Sequence, residues 1–470
     1  MKGIRLLLRR RCLLIYSLAA TIAVLFGVFA GQLRSAAVAQ ENRAQSVFDT
    51  TVSYVVQFYP LWFTHFQSLF SSKNRLIGPD RISHIYQAVV AINDDTLYAS
   101  TILTLETEPV ILTIPKTSVR YSILSLDLYG NILNTDIPSQ TPGIYALTGP
   151  GYVGPIPPRA TRIDMSLSTS ILIFRADKYS SSNQDLTREA EVFRRRLRLQ
   201  PYSEWKNDRR GGHTLILPEL AFALPVKTIA DDLIKLAPIK FLQQLQTAIA
   251  NSDIPPLSPS AQALSDRFDR LFARKDIDRE KFKAGARAAH QMILDNYIND
   301  NAGRTNWTTF TDIGAWGNNV LNRASITEFC QFCNGRSTAA YYHAFKDDRG
   351  RPLDGSAVGG TGSRGYILTF PKRRIPKAER FWSVTAYTPN SVELIKNSAR
   401  KYVVASYTPK LQYNSNGSIS IYMTRKLPVG IPMANWLPIP DGPFNIMLRI
   451  YGPDRAAIHN RYIPPAIKRR

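Results

Sequence analysis

Four aspartates offer the chemistry of an acid, a base or a metal ligand. Asp94 and Asp95 are adjacent and come directly before the alternating run TLYASTILTL. Asp127 interrupts the apolar alternation of a later strand-like run, and Asp136 lies just beyond the end of that run. A catalytic acid and base need different environments, so that one keeps its proton while the other is ionised. If the protein has a carboxylate site, we predict that Asp95, Asp127 and Asp136 contribute to it.

The pair Asp94-Asp95 also has a purely structural interpretation. Neighbouring residues on a strand point to opposite faces, so the pair is poorly placed to share one substrate. In Asn93-Asp94-Asp95-Thr96 the side chains can instead bond to the nearby backbone and form a turn. We favour the turn and keep an acid or a metal ligand as the alternative, because surface loops also carry functional sites.

The C-terminal strand-like runs contribute binding candidates rather than acids. These candidates are Trp382, Tyr387, Trp436 and Arg449. Aromatic side chains in a sheet belong to the core more often than to a sugar-binding platform, because they bury a large area. Arg449 is flanked by two apolar residues, so it either faces solvent or pairs with an acid, since a buried charge needs a partner.

Two cysteines, Cys330 and Cys333, have the spacing C-x-x-C. In an exported chain this spacing favours a local disulfide or two packed thiols. A redox motif and half of a zinc site are the alternatives. A zinc site needs two more ligands, and neither a second C-x-x-C nor paired histidines accompany this one. The sequence therefore predicts no metal.

A glycine-rich stretch, GTGSRG, matches the pattern of a dinucleotide-binding loop. Such a loop follows a strand and opens a helix. Here the stretch runs into the strand-like residues 366–370 and then Pro371, which favours a simple loop. The chain also lacks G-x-S-x-G, H-E-x-x-H and P-loop lysine motifs. We predict no cofactor.

The N-terminus has the pattern of an export signal. Arg9-Arg10-Arg11 precede an uncharged apolar run, residues 12–33, and Ala37-Val38-Ala39 form an A-x-A cleavage site. The run is also long enough to span a bilayer if it is kept. Residues 1–39 are therefore either a cleaved signal peptide or a signal anchor, and in both cases the body is exported, as a membrane-anchored, periplasmic or extracellular protein.

The remaining chain follows the order β, then α, then β. Short apolar runs separated by Gly and Pro predict strands, and their spacing is typical of an antiparallel sandwich or barrel. Segments with a 3.6-residue period predict helices between them. We predict an α+β protein with a β-rich domain and leading helix at 46–182, a helical segment at 183–339, and a C-terminal β-sandwich domain at 340–470.

Several phrases of the sequence match a known family in order and number. They include INDDTLYASTILTLETEPVILTIP, LTGPGYVGPIP, NWTTFTDIGAWGNNVLNRA, FWSVTAYT and NWLPIPDGPFNIMLRIYGP. Together they resemble the domain-of-unknown-function families 1254, in the N-terminal part, and 1214, in the C-terminal part. The resemblance implies two β-sandwich or jelly-roll-like domains with helices between them. It implies no reaction and no catalytic residues.

The positive charge of the chain restricts the classes of binding partner that we expect. The chain carries a formal net charge of +23, and its basic runs are either solvated surface or a face for anionic lipid or glycan. Nucleic acid is not expected as a partner of an exported protein. We predict an envelope-associated binding or scaffold protein, with homo-oligomer formation as a further expectation. The alternative is a carboxylate-dependent enzyme acting on an envelope glycan, lipid or small metabolite.

Overall fold

The computed structural model describes residues 45–251, 253–357 and 364–470. The predicted signal or anchor at 1–39, including the apolar run 12–33, lies outside these residues, as do Gly360 and Gly362 of the glycine-rich stretch. Within the described ranges, every helix is too short or too polar to cross a bilayer.

The N-terminal part contains two sheets around one core. Its elements are α1 (45–68), β1 (Ile77–Pro79), β2 (Thr96–Thr104), β3 (Val110–Ile114), β4 (Tyr121–Leu126), β5 (Gly143–Thr148), β6 (Thr161–Asp164), β7 (Thr169–Asp177), α2 (Thr187–Arg196), β8 (Arg198–Pro201), α3 (Tyr202–Asn207) and β9 (Leu215–Leu217). The strand order is β4-β7-β2-β1-β9 in one sheet and β6-β5-β3-β8 in the other. Apolar residues of both sheets and of α2 form one buried cluster.

A layer of helices covers part of the outer face of the five-stranded sheet. These helices are α4 (Val226–Leu236), α5 (Pro238–Ile249), α6 (Pro259–Phe272), α7 (Arg279–Asp295) and α8 (Val320–Cys330). Together with α1 they bury aromatic and aliphatic side chains against β4 and β7. Pro259 at the first position of α6 and the Ser258 side chain, which accepts from the Ala261 amide, fix the start of that helix.

The C-terminal part repeats the arrangement of five strands and four strands. Its elements are β10 (Trp307–Thr308), β11 (Ala339–Ala344), β12 (Gly365–Phe370), β13 (Ala378–Tyr387), β14 (Val403–Ala405), β15 (Ile419–Thr424), β16 (Trp436–Pro438), β17 (Asn445–Pro453), α9 (Arg455–Ile458) and β18 (Lys468–Arg469). The sheets have the orders β10-β11-β17-β13-β14 and β16-β15-β12-β18 and share one core.

The predicted α+β class is confirmed. The middle segment 183–339 is not purely helical, because β8, β9 and β10 lie within it and join the sheets on either side. In both parts of the chain, one face of the five-stranded sheet packs in the hydrophobic core of that part. The outer face of each five-stranded sheet contributes side chains to the space between the two parts.

Candidate functional site

A cavity of about 260 Å³ lies where the outer faces of the two five-stranded sheets meet. Strands β2 and β7 form one wall, and β11 and β17 form the other. Strand β1, residues within 86–93 and within 217–226, the end of α1 and the loop after α8 add to its lining. The cavity therefore depends on both parts of the chain.

The alternation of the strands decides which side chains reach the cavity. In β17, Leu448 and Ile450 belong to the C-terminal core, so Arg449 and Tyr451 point the other way and line the cavity. In β7, Phe174 belongs to the N-terminal core while its neighbour Arg175 lines the cavity. The same period of two that forms each core thus places an arginine on each wall.

Arg449 is the most informative of these side chains. It is 2% exposed, its Nη2 donates to the carbonyl oxygen of Ala91, and its guanidinium lies 5.5 Å from the centroid of the Tyr387 ring. Its Nη1 has no hydrogen-bond partner in the part of the chain that the structure describes. Leaving a charged donor buried and unpaired costs more than leaving a neutral one. The wall of the cavity therefore holds a cationic donor that can still bind an anion.

Arg175, by contrast, is held by a tight loop. Its Nη1 donates to Asn334 Oδ1 at 2.8 Å and its Nη2 donates to the Phe332 carbonyl at 2.6 Å. That loop is closed by the disulfide between Cys330 and Cys333, and Phe332 within it has a φ of 62°. The disulfide loop, residues 330–334, therefore positions the second arginine of the cavity.

The lining of the cavity contains two cations and is otherwise mostly apolar. Among the described residues that line it, Arg175 and Arg449 are the charged ones, and no Asp or Glu accompanies them. Tyr98 and Tyr451 add hydroxyl groups, and burial raises the pKa of Tyr451, so its hydroxyl stays protonated. Two cations and neutral donors beside an apolar lining are suited to an organic anion.

Asp95 is buried beside this region but outside the cavity lining. Its Oδ2 accepts from Ser383 Oγ at 2.7 Å, and its Oδ1 accepts from the Tyr407 hydroxyl. Its amide donates to Asn93 Oδ1 at 3.1 Å, which is the turn expected from the sequence. Asp94 pairs with Lys178 at 2.9 Å. Asp95 thus ties the N-terminal turn to the C-terminal strands.

The other two candidate carboxylates lie elsewhere. Asp127 is buried in its own turn, where Oδ1 accepts from the amides of Tyr129 and Asn131, and burial raises its pKa. Asp136 is exposed. The structure does not bring Asp127 to Asp95, because the ends of β4 and β2 that carry them pair with opposite ends of β7, six residues or roughly 20 Å apart.

The C-terminal aromatic candidates divide between core and cavity region. Trp382 belongs to the core between the two C-terminal sheets, and Trp436 is buried with its Nε1 donating to Thr424 Oγ1 at 2.9 Å. Tyr387 faces the N-terminal part and donates to the Ile92 carbonyl at 2.6 Å. Of the four candidates, Arg449 is the one that lines the cavity, and Tyr387 supports it.

A second group of ionisable side chains lies in the helix layer. We name it the lysine cluster: Tyr59, Lys227, Asp231, His290 and Glu328. Asp231, His290 and Glu328 approach closely enough to hold a metal ion. Lys227 Nζ, however, donates to Glu328 and, at 2.7 Å, to Asp231 Oδ2. The ammonium group therefore supplies the positive charge that a metal would bring.

The ionisable groups of the lysine cluster pair with one another. Burial lowers the pKa of His290, but Glu328 and Asp231 outweigh burial and raise it to about 9. Burial raises the pKa of Glu328, but Lys227 and His290 outweigh burial and lower it to about 2. Burial and the neighbouring Glu328 raise the pKa of Asp231. At neutral pH the ionised Glu328 therefore faces two cations, Lys227 and His290, and Tyr59 donates a further hydrogen bond to Glu328.

Sequence reasoning missed Arg175 and the whole lysine cluster. Arg175 directly follows four apolar residues in the run SILIFRAD, and a charge inside an apolar strand is the signal that would have found it. Lys227 and Glu328 are 101 positions apart and match no spacing motif, so only the packing of α4 against α8 and α7 brings them together.

These features define a class: a two-part α+β protein with a cavity between its parts that is lined by two arginines. Residues 70–201 match the family model DUF1254 and residues 338–455 match DUF1214, both described as proteins of unknown function. The chain therefore belongs to the family that carries DUF1254 followed by DUF1214, as the resemblance implied. No curated protein matches the chain.

Crystal structures of two bacterial proteins are similar over most of the chain. The VPA0106 protein from Vibrio parahaemolyticus has a TM-score of 0.55 at 18% identity, over 90% of this chain and 100% of its own. An uncharacterized protein from Burkholderia cenocepacia has a TM-score of 0.41 at 13% identity, over 91% and 95% of the two chains. The first similarity extends to the fold alone, and the second is too low to support an argument.

Proposed function

We propose that the protein binds a small organic anion in the cavity between its two parts, with the anionic group on Arg449. The unpaired Nη1 of Arg449 carries this proposal. An arginine with a free donor in an apolar cavity gains a charge-assisted hydrogen bond only when an anion enters.

The size and lining of the cavity support a small ligand. A group the size of a water molecule occupies about 30 Å³, so the cavity has room for roughly nine such groups. Tyr86 stacks on Phe222 at 5.3 Å and contributes a flat apolar wall, while Ile102, Ile171 and Ile173 add aliphatic surface. The ligand is therefore an anionic head with a short apolar body.

A binding role agrees better with the arrangement of the carboxylates than an enzymatic role does. Asp95, Asp127 and Asp136 are spread over separate turns, so no pair of them is placed to act as acid and base on one substrate. Export, association with the envelope and formation of a homo-oligomer stay part of this proposal. We also infer that each pair of sheets forms a β-sandwich of the jelly-roll-like kind, a proposal that their shared cores support.

The proposal is tested with two ligands of equal chain length, decanoate and 1-decanol, by isothermal titration calorimetry. We expect the protein to bind decanoate about 10- to 100-fold more tightly, as a hydrogen bond to a charged group contributes about 1.5–3 kcal/mol. Arg449→Met should remove this preference. Arg373→Met is the matched control, since it removes one exposed positive charge by the same substitution. Equal binding of both ligands, or an unchanged preference in Arg449→Met, would contradict the proposal.

A further inference from the structure

The charged groups of the cavity lining are buried, whereas two of its apolar residues are exposed to solvent. Arg449 and Tyr451 are 2% and 1% exposed. Phe70, which also lines the cavity, is 66% exposed, and Ala221 of the lining is exposed as well. A ligand with one charged end would therefore enter with that end first.

Exposed apolar residues also lie next to these two lining residues in the chain. Leu69 and Leu220, the neighbours of Phe70 and Ala221 in the chain, are 63% and 74% exposed. Single exposed apolar residues are common, but these lie next to residues of one cavity lining and belong to two different segments, the end of α1 and the stretch before α4. We name the four residues 69, 70, 220 and 221 the apolar mouth.

From this arrangement we infer that the ligand is a single-chain amphiphile, whose anionic head lies on Arg449 and whose acyl chain leaves the cavity across the apolar mouth. This inference rests on the proposed function and names the class of ligand. The cavity has room for roughly nine water-sized groups, so a longer chain reaches the mouth and covers Phe70 and Leu220.

Chain length gives a direct test. Each methylene that moves from water onto apolar surface improves affinity by up to about fourfold. We expect the affinity for fatty carboxylates, measured by calorimetry below the concentrations at which they form micelles, to keep rising from octanoate to tetradecanoate. A cavity closed at the mouth would give the opposite result, an affinity that falls beyond about ten carbons, and this result would overturn the inference.

Variants at the mouth separate the inference from the proposed function. Leu69→Asp and Leu220→Asp, at exposed residues of the apolar mouth outside the cavity lining, should weaken tetradecanoate about tenfold and change octanoate less than twofold, because only the longer chain reaches them. Val429→Asp, at a fully exposed residue that does not line the cavity, is the control and should change neither affinity. Equal effects on both ligands would overturn the inference.

The binding of octanoate distinguishes a failure of the acyl-chain inference from a failure of the proposed anion site. Binding of octanoate that depends on Arg449 but gains nothing from a longer chain overturns the acyl-chain inference and leaves the anion site intact. Binding that is unchanged in Arg449→Met overturns the proposed function, and the inference falls with it.

Discussion

The lysine cluster and the cavity both contain buried cations, but the partners of these cations differ. In the lysine cluster, Lys227 and His290 face Glu328 and Asp231, and each charge lies within 3.4 Å of an opposite one. In the cavity, the guanidinium groups of Arg175 and Arg449 donate to neutral oxygen atoms.

This difference separates a structural group from a binding group. In a cluster whose charged groups pair with one another, the energetic cost appears when one partner is removed. An arginine whose donor is unpaired still has an interaction to make, so its removal affects binding more than stability. The predictions below test this distinction, beginning with the largest effect.

Removing a charge from the lysine cluster should destabilise the fold strongly. Glu328→Gln leaves Lys227, which is 4% exposed, without its closest carboxylate, and we expect a loss of about 3–5 kcal/mol in the free energy of unfolding. Urea denaturation measures this loss. Glu379→Gln is the control, because its pair with Arg120 is exposed and should contribute less than about 1 kcal/mol. Equal losses in the two variants would contradict the comparison.

The paired cation between the two parts should behave like the lysine cluster. Arg380 of β13 donates to Asp177 of β7 from both Nε and Nη2. Asp177→Asn should destabilise the protein by about 2–3 kcal/mol, less than Glu328→Gln because Arg380 keeps some access to water. The same denaturation assay checks this order, and a neutral effect would show that the pairing of Arg380 is not needed.

His290 should make stability depend on pH on the alkaline side. Its pKa is raised in the folded state from its ordinary 6.5 to about 9, so it stabilises the fold fully below pH 6.5, and this contribution is lost as pH rises through 9. We expect His290→Gln to lose about 1–2 kcal/mol at pH 6 and to show a smaller decline in stability between pH 6.5 and 9. An identical decline in both proteins would exclude His290 as its source.

The smallest effect on stability is expected at the cavity. Arg449→Met loses the hydrogen bond to the Ala91 carbonyl but also removes a desolvated charge, so the free energy of unfolding should change by no more than about 1 kcal/mol. Thermal and urea denaturation without ligand measure this change. A loss as large as that of Glu328→Gln would mean that Arg449 is structural, and the comparison would fail.

Local pattern was enough to locate the strand that follows Asp94-Asp95. The alternating run TLYASTILTL, residues 96–105, corresponds to β2, whose end agrees within one residue. Alternation, Pro and Gly act on neighbouring residues, so they can be read without the fold. The turn at Asp94-Asp95 was found for the same reason.

The site needed information that no local pattern contains. The sequence left Arg449 with two interpretations, an exposed arginine or one paired with an acid. The structure shows a third, a buried arginine whose Nη1 has no partner among the described residues, because the Arg449 face of β17 packs against the other half of the chain.

By itself the sequence determined the family, the α+β class and the residue types available for a site. The family follows from the resemblance of several sequence phrases in their order, and the other two follow from composition, spacing or period over short stretches. Only the tertiary structure decided that Asp95 is an interdomain tie, that Lys227 meets Glu328, and that Arg175 and Arg449 share one cavity. These are contacts between residues 101 to 288 positions apart, and they depend on how sheets and helices pack rather than on any neighbour in the chain.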